Sequence, residues 1–486
     1  MIKDKDTLKA NIIQGFGTLI IREFFLKLLA FIGQIFLARL LIPSDFGIYV
    51  IIVFLISFFS LFTDIGLSLA IIQKNEEPTG IELSSIFILK TFLSLFVIFL
   101  IWLLAPLVRF IYPTFVDVNV TMIRVFSLTL LFASVRTVPI SLLERKIKYN
   151  LISLIDIFGV FMFYIVSLIG ALMHLGVWSL ILGTLASEAS QTVTLYYIQP
   201  FFPQFIFSKN NIKKMVKFGI YIQGNSLVNV ISSSIVPVIG GKINGLSSVG
   251  LLDFAFNIAS LPVMIAINFG RVAFAGYSRI QKEKKILYDS ICKSMSMLSI
   301  ILYIFPVIIL GFGNELVPLA FSSKWIPAIP ALYWYSFGTL VLPIIASLAQ
   351  GILVIGKSKE IFWAGFIIIV SSWVGALMLI NIFGFVGIAM DYFFSNIFFC
   401  ISYILIFKKS DYVFPIMSII LPKLFVALFS LLLILFMNVV FSKTLPILIV
   451  KLMVAFILYL VLMFAFVKQD SKELFNLIYE RLNFKK

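Results

Sequence analysis

The sequence predicts an all-α integral membrane protein of about fourteen transmembrane helices, built as two six-helix lobes followed by a C-terminal pair. Three observations predict it. Apolar residues make up 61% of the 486 positions and the mean hydropathy is +1.12, whereas a soluble domain is about 45–50% apolar. Apolar runs of about twenty residues recur along the whole chain, each long enough to cross a hydrocarbon layer about 30 Å thick. Lys and Arg alternate between rich and poor connections, as the positive-inside rule requires of a polytopic protein.

The runs place spans near 17–38, 46–73, 83–106, 121–142, 151–172 and 175–198. A second set falls near 213–238, 247–270, 289–311, 327–354, 361–381 and 384–407, and a last pair near 413–440 and 446–468. Odd connections, assigned to the outside, hold only Arg39, Arg109, Lys242, Lys324 and Lys443. Even connections and both termini hold the clusters Lys3–Lys5–Lys9, Arg145–Lys146–Lys148, Lys209–Lys213–Lys214–Lys217, Arg271–Arg279–Lys282–Lys284–Lys285 and Lys408–Lys409. A missed or invented helix would invert the alternation from that point on. Both termini are therefore expected in the cytoplasm, and the net charge of +16 is topological, with no nucleic-acid partner. The start "MIKDKDTLKANIIQGF" shows no signal-peptide cleavage pattern. The tail "DSKELFNLIYERLNFKK" has Leu474, Leu477, Ile478 and Leu482 at helical spacing. It is expected to lie on the inner leaflet or against the loops.

A shift of 203 positions lays "ARLLIPSDFGIY" on "GKINGLSSVGLL", pairing Arg39 with Lys242 and Gly47 with Gly250. Each segment follows the first span of its half. An internal repeat of this kind is a transporter signature. It implies an N-lobe over 1–205, a C-lobe over 206–410 and an appended helix pair with the tail over 411–486.

Several stretches carry a family resemblance. "LARLLIPSDFGIYVIIVFLISFFSLFTDIGLSLAIIQ" (37–73), with Arg39, Pro43, Gly47, Asp64 and Gly66, resembles the opening signature of Wzx-type flippases. These are the polysaccharide branch of the multidrug/oligosaccharidyl-lipid/polysaccharide exporter superfamily. "LLERKIKYNLISLID" (142–156) is similar to the loop after helix four in the colanic-acid and teichuronic-acid exporters of that branch. "GRVAFAGYSRIQ" (270–281) and "SSKWIPAIPAL" (322–332) match at equivalent places. The resemblance implies a flippase for an undecaprenyl-diphosphate-linked oligosaccharide in the bacterial inner membrane, working by alternating access. It also implies that helices thirteen and fourteen provide a groove for the polyprenyl tail. One position departs. Val236 stands where the branch often has an Asp in helix seven, so a role for that carboxylate does not carry over.

Intramembrane charges are costly, at least ~2.5–3.5 kcal/mol each at the bilayer centre, and so mark candidate sites. Lys293, Lys451 and Arg124 lie near span ends and are expected to snorkel. Glu23 and Lys27 share a helix face and can neutralise each other. Arg22, Lys90 and Arg136 are candidates for the substrate diphosphate, with structural pairing or snorkelling as the alternatives. Asn225 and Asn229, with Ser232 and Ser233 on one face of helix seven, are either helix–helix glue or a hydrated wall that meets sugar hydroxyls. Glu188, inside "LASEASQTV", either couples a proton or cation or pairs with Arg136 or Arg22. Asp156 and Asp253 are further coupling candidates, and Asn257 and Asp391 stay unassigned. The 53 Phe read as lipid-facing bulk rather than sugar-stacking platforms.

One His, Cys292 and Cys400 make no metal site, and the chain has no Gly-rich phosphate loop and no nucleophile–base pair. No enzyme chemistry and no cofactor are expected. The expected partners are a polyprenyl-diphosphate-linked glycan, membrane lipids and H⁺ or Na⁺, acting on a monomer. Alternatives are a lipid II flippase, a drug/cation antiporter of the same superfamily and, more remotely, a membrane polymerase or glycosyltransferase. The basic excess among the deep charges argues against an antiporter for cations. The short external connections argue against the enzymes.

Overall fold

In a computed structural model, residues 25–204 and 227–470 are described, together with 206 and 208 and without 64, 65, 67, 69, 70, 73–75, 411 and 469. Arg22, Glu23, Asn225 and the 471–486 part of the C-terminal tail lie outside the described residues. Among those described, ten helices are long and apolar enough to cross a membrane. An eleventh crossing results if the bent pair Ser323–Thr339 and Leu342–Val354 counts as one span. The protein is all-helical over these residues and is a multi-pass membrane protein. It packs as two compact units, Met1–Gly250 and Leu251–Lys486.

The first unit contains α1 (25–40), α2 (Pro43–Ser60), α3 (Gly80–Leu104), α4 (Asp117–Phe126), α5 (Thr129–Arg145), α6 (Tyr149–Leu172) and α7 (Val177–Ile198). Thr79 starts α3 with a capping box. Its hydroxyl accepts from the Glu82 amide at 3.3 Å and the Glu82 carboxylate accepts from the Thr79 amide at 2.9 Å. Helices α6 and α7 form a tight antiparallel pair because small residues let the backbones approach. A Cβ on Gly183 would lie 2.8 Å from the Phe163 carbonyl oxygen, and one on Gly159 would collide with the Gln191 side chain. Helix α7 is 22 residues long but is not among the ten apolar spans. Its Ser, Thr, Gln and Glu residues make it too polar to face lipid all round.

A reciprocal contact fixes the start of α2. The position of a Gly47 Cβ is taken up by the Leu246 carbonyl oxygen, 1.8 Å away, and that of a Gly250 Cβ by the Pro43 carbonyl oxygen, also 1.8 Å away. Only glycine fits at either place, because the obstacle is backbone. The four residues form two pairs, Pro43 with Leu246 and Gly47 with Gly250, each separated by 203 positions. Nearby, the Tyr112 hydroxyl donates to the Pro237 carbonyl at 3.0 Å, inside a π-helical turn spanning Val236–Gly240.

In the second unit, α8 (Leu246–Ala259, which begins in the first unit) continues into α9 (Leu261–Ile280). Then follow α10 (Lys284–Leu302), α11 (Ile304–Leu316), α12 (Ile329–Thr339), α13 (Leu342–Val354), α14 (Ser358–Phe383), α15 (Val386–Lys408), α16 (Ile416–Val440) and α17 (Leu445–Phe466). Pro262 has no N–H to donate to the Ile258 carbonyl, so the hydrogen-bond ladder is interrupted where α8 meets α9. The buried ring of Trp325 stacks on Phe254 with centroids 4.3 Å apart, and Phe321 meets the same Phe254 edge-on at 4.9 Å. This aromatic group holds α8 in place next to Asp253.

Two ion pairs tie the last helices to the core of this unit. Lys451 of α17 donates to both oxygens of Glu315 in α11, at 3.0 and 3.2 Å, and lies 3.4 Å from the Asn438 side-chain oxygen and from the Phe441 carbonyl. Both charged side chains are sealed from solvent, at 2% and 3% exposure. Lys451 therefore does not snorkel. A carboxylate 136 positions away in sequence replaces the water that snorkelling would have reached. Lys423 of α16 pairs with Asp470 at 2.5 Å, and Ser296 donates to the same carboxylate.

Candidate functional site

Helix α5 presents Arg136 toward α7. Its guanidinium donates to the Glu188 carboxylate and to the Gln191 side-chain oxygen. Gln191 in turn donates to the Ser187 hydroxyl at 3.1 Å, and Tyr196 donates to the Val135 carbonyl at 3.1 Å. Glu188 and Gln191 lie on one face of α7 at i and i+3, and Gly159 leaves the space that the Gln191 side chain fills. The side chains of Arg136 and Glu188 are 14% and 23% exposed. Glu188 is paired with Arg136 in this fold. The charges cancel locally, and the pair remains partly open to solvent.

The other expected residues of this unit lie elsewhere. Lys90 is buried on α3, one helical turn before Ser94, whose hydroxyl is fully buried and without a hydrogen-bond partner. Asp156 on α6 is half-buried, close enough to Glu144 at the end of α5 for the two charges to interact. Asn229, Ser232 and Ser233 are exposed, and the two serines return their hydroxyls to the Val228 and Val230 carbonyls. Arg145 does more than anchor the loop at the membrane surface. It donates to the Ile71 and Glu76 carbonyls at 2.9 and 2.8 Å and so clamps the chain before α3.

The second unit carries a polar stripe that sequence reading did not assemble. Asp253 and Asn257 on α8, Ser260 at the break between the helices, and Asn268 and Arg271 on α9 carry polar side chains along this segment, at steps of four, three, eight and three residues. Asn257 and Arg271 are exposed, and Asp253, Ser260 and Asn268 are half-buried. Asn257 donates to Asp253 at 2.9 Å. Arg271 makes no ion pair or hydrogen bond among the described residues. An exposed guanidinium on α9, a helix long and apolar enough to cross a membrane, is costly against hydrocarbon and needs water or headgroups around it. The signal was present in the sequence as this spacing, but Arg271 was absorbed into the cluster of topological charges.

Deeper in the same unit, Asp391 on α15 is 6% exposed. Ser372 donates to it, and Ser395 donates to Ser372 at 3.1 Å. Gly375 makes room for it, since a Cβ there would fall 2.3 Å from the Asp391 carboxylate. Among the described residues, Glu188, Glu315, Asp117 and Asp470 each have a Lys or Arg partner. Asp253 and Asp391 have none.

With this geometry the chain can be compared with known proteins. A family model described as polysaccharide biosynthesis protein matches residues 36–330. The chain belongs to this family. It is 28% identical over 316 residues to an uncharacterized membrane protein in the cps region of Klebsiella pneumoniae, covering 63% of each chain. It is 24% identical over 300 residues to the lipopolysaccharide biosynthesis protein WzxC of Escherichia coli, covering 61% of this chain and 60% of that one. The match thus spans less than two thirds of these relatives' length. The fold is similar to that of the lipid II flippase MurJ in an inward closed conformation. There the TM-score is 0.75 at 15% identity, covering 92% of this chain and 98% of that one. It is also similar to an inward-facing multidrug resistance MATE transporter, with a TM-score of 0.60 at 15% identity, covering 79% of this chain and 93% of that one. Val236 opens the π-helical turn that receives Tyr112.

Proposed function

We propose that this family member is a flippase that carries an undecaprenyl-diphosphate-linked oligosaccharide from the inner to the outer leaflet of a bacterial inner membrane, for surface polysaccharide assembly. The observation that carries the reading is the wetted stripe on α8 and α9, ending in an unpaired Arg271, in a chain of the polysaccharide biosynthesis family. A diphosphate crossing a membrane needs fixed cations, and arginine offers it two parallel hydrogen bonds. Arg271 on α9 is the cation that meets it. Arg22, Lys90, Arg136, Asn225 and Asn229 are separate candidates for polar contacts with the substrate.

Transport proceeds by alternating access of an N-lobe (1–205) and a C-lobe (206–410), with both termini cytoplasmic and helices thirteen and fourteen holding the polyprenyl tail. The reciprocal Gly47–Gly250 contact supports a duplicated architecture of this kind. The monomer works without a cofactor and performs no covalent chemistry. Coupling to H⁺ or Na⁺ falls to a carboxylate without a fixed cation. Glu188 is compensated by Arg136, whereas Asp253 and Asp391 have no Lys or Arg partner among the described residues, so these two are the better placed groups, and Asp391 is the more buried. The likeness to the lipid II flippase is one of fold.

The test is complementation in a strain from which the gene has been deleted. The deletion strain is expected to lose surface glycan and to accumulate the lipid-linked precursor on the cytoplasmic side. The wild-type chain restores export, Arg271→Ala abolishes it at unchanged protein level, and Arg271→Lys restores part. Loss of surface glycan without any accumulated precursor would instead indicate a biosynthetic enzyme and overturn the proposal.

A further inference from the structure

Three residues of α8 form a surface that differs from the rest of the membrane-facing chain. Asp253, Phe256 and Asn257 stand at i, i+3 and i+4, on one helix face. Phe256 is 37% exposed and Asn257 is exposed beside it. The unexposed side of the Phe256 ring is supported by two tyrosines, Tyr335 of α12 and Tyr392 of α15. Their rings meet it edge-on with centroids 5.3 and 5.7 Å away and meet each other at 5.4 Å. Tyr335 is 3% exposed, so the support is rigid. Most exposed Phe in this protein sit among other apolar side chains, as lipid contacts do. Phe256 is flanked on its own face by a carboxylate and an amide, which cannot face hydrocarbon. That face is wet, and its aromatic ring has another purpose than meeting lipid.

The hydrogen-bonding capacity of the surface is defined. The Asn257 amide spends one N–H on Asp253 and keeps its second N–H and its carbonyl oxygen. Asp253, held by that bond, keeps its other oxygen as an acceptor. A donor and two acceptors beside an exposed ring complement a pyranose. Its hydroxyls both donate and accept, and its polarised C–H face is attracted to the negative face of an aromatic ring. Arg271 lies fourteen residues further along the chain, on α9 beyond the break at Ser260–Pro262. Fourteen residues of helix span at most about 21 Å, so one small group does not occupy both. A charged headgroup at Arg271 and sugars extending from it would reach both ends.

We propose that Phe256, Asn257 and Asp253 form a sugar-binding subsite that contacts the glycan of the transported lipid, with Asp253 positioning the Asn257 amide. This rests on the flippase reading and assigns the part of the substrate that the stripe's outer end recognises. It gives one Phe of this chain the sugar-stacking role that the abundance of Phe alone does not suggest.

The experiment measures binding to the full-length protein in lipid nanodiscs by native mass spectrometry. One probe is undecaprenyl diphosphate. The other is the glycan-bearing lipid that accumulates in the deletion strain. Wild type is expected to bind the glycan-bearing probe more tightly. Phe256→Leu and Asn257→Ala are each expected to weaken that probe about fivefold to tenfold and to leave the bare diphosphate lipid unchanged. Phe256→Tyr keeps the ring and is expected to bind both probes as wild type does, which separates loss of stacking from loss of fold. Retention of the glycan preference by both Phe256→Leu and Asn257→Ala would overturn the subsite while leaving the flippase intact. Equal weakening of both probes would also overturn it. A wild-type chain that binds neither probe would overturn the subsite and the flippase reading together.

Discussion

Lys451 and Glu315 offer a direct measurement of what a buried ion pair does in this fold. Their side chains are 2% and 3% exposed, and four acceptor atoms lie within 3.4 Å of the ammonium group. Lys451→Met leaves the Glu315 carboxylate buried without a counter-charge, and Glu315→Leu does the same to the ammonium. Removing one partner of such a pair costs about 3–5 kcal/mol, whereas replacing both by apolar groups of similar size is commonly neutral or stabilising. Each single variant should therefore melt well below wild type, and the double variant Glu315→Leu/Lys451→Met above either single one. Cys400, buried in the same core, gives the assay in a Cys292→Ser background, which removes the half-buried second thiol. A thiol-reactive fluorogenic maleimide labels it when the second unit opens, and the labelling temperature follows stability. If each single change costs less than about 1 kcal/mol, or the double variant loses the sum of the two, then the charges are not coupled and the reasoning fails.

Two further predictions follow from the packing. Gly47→Ala should prevent accumulation of folded protein, because the new Cβ would fall 1.8 Å from the Leu246 carbonyl oxygen and only backbone can yield. Gly276→Ala, where nothing lies within 4 Å, should express as wild type, and both outcomes are read by fluorescence-detected size exclusion. Asp470 supplies a pH dependence. Burial raises its pKa, but hydrogen bonds from Lys423 and Ser296 and the charges of Lys423 and Lys293 outweigh this and hold it below the ordinary carboxylate range. A depressed folded-state pKa contributes stability above the unfolded value and loses it as pH falls through the folded one. The melting temperature of wild type should therefore fall as acid protonates Asp470. Asp470→Asn should start lower at neutral pH and show a smaller drop, and an identical acid profile in the two proteins would remove Asp470 from the explanation.

The family was legible in the sequence because its marks are local. Arg39, Pro43 and Gly47 sit within nine positions, and "LLERKIKYNLISLID" is continuous. The membrane class was equally legible, since hydrocarbon imposes a length and a polarity on every helix whatever its neighbours are. The ends of the helices were less so. Several expected spans are two helices with a break, as at Ser260–Pro262, because a proline interrupts the ladder without changing hydropathy.

The pairing of charges depended on tertiary structure. Arg136 and Glu188 are 52 positions apart and Lys451 and Glu315 are 136. Sequence could state that each charge needed a partner or water, but not which. Lys451 near a span end suited snorkelling equally well, until the packing of α17 on α11 set Glu315 beside it. Arg271 looked like one more cytoplasmic charge until the stripe on α8 and α9 stood exposed. Sequence by itself determined that this protein dissolves in lipid and belongs with the polysaccharide biosynthesis proteins, because solvent preference and short motifs are properties of contiguous residues. The packing of distant helices alone decided which ionisable groups, among the described residues, are neutralised by a partner and which are not. Electrostatic energy depends on separation in space, and the chain's order does not contain it.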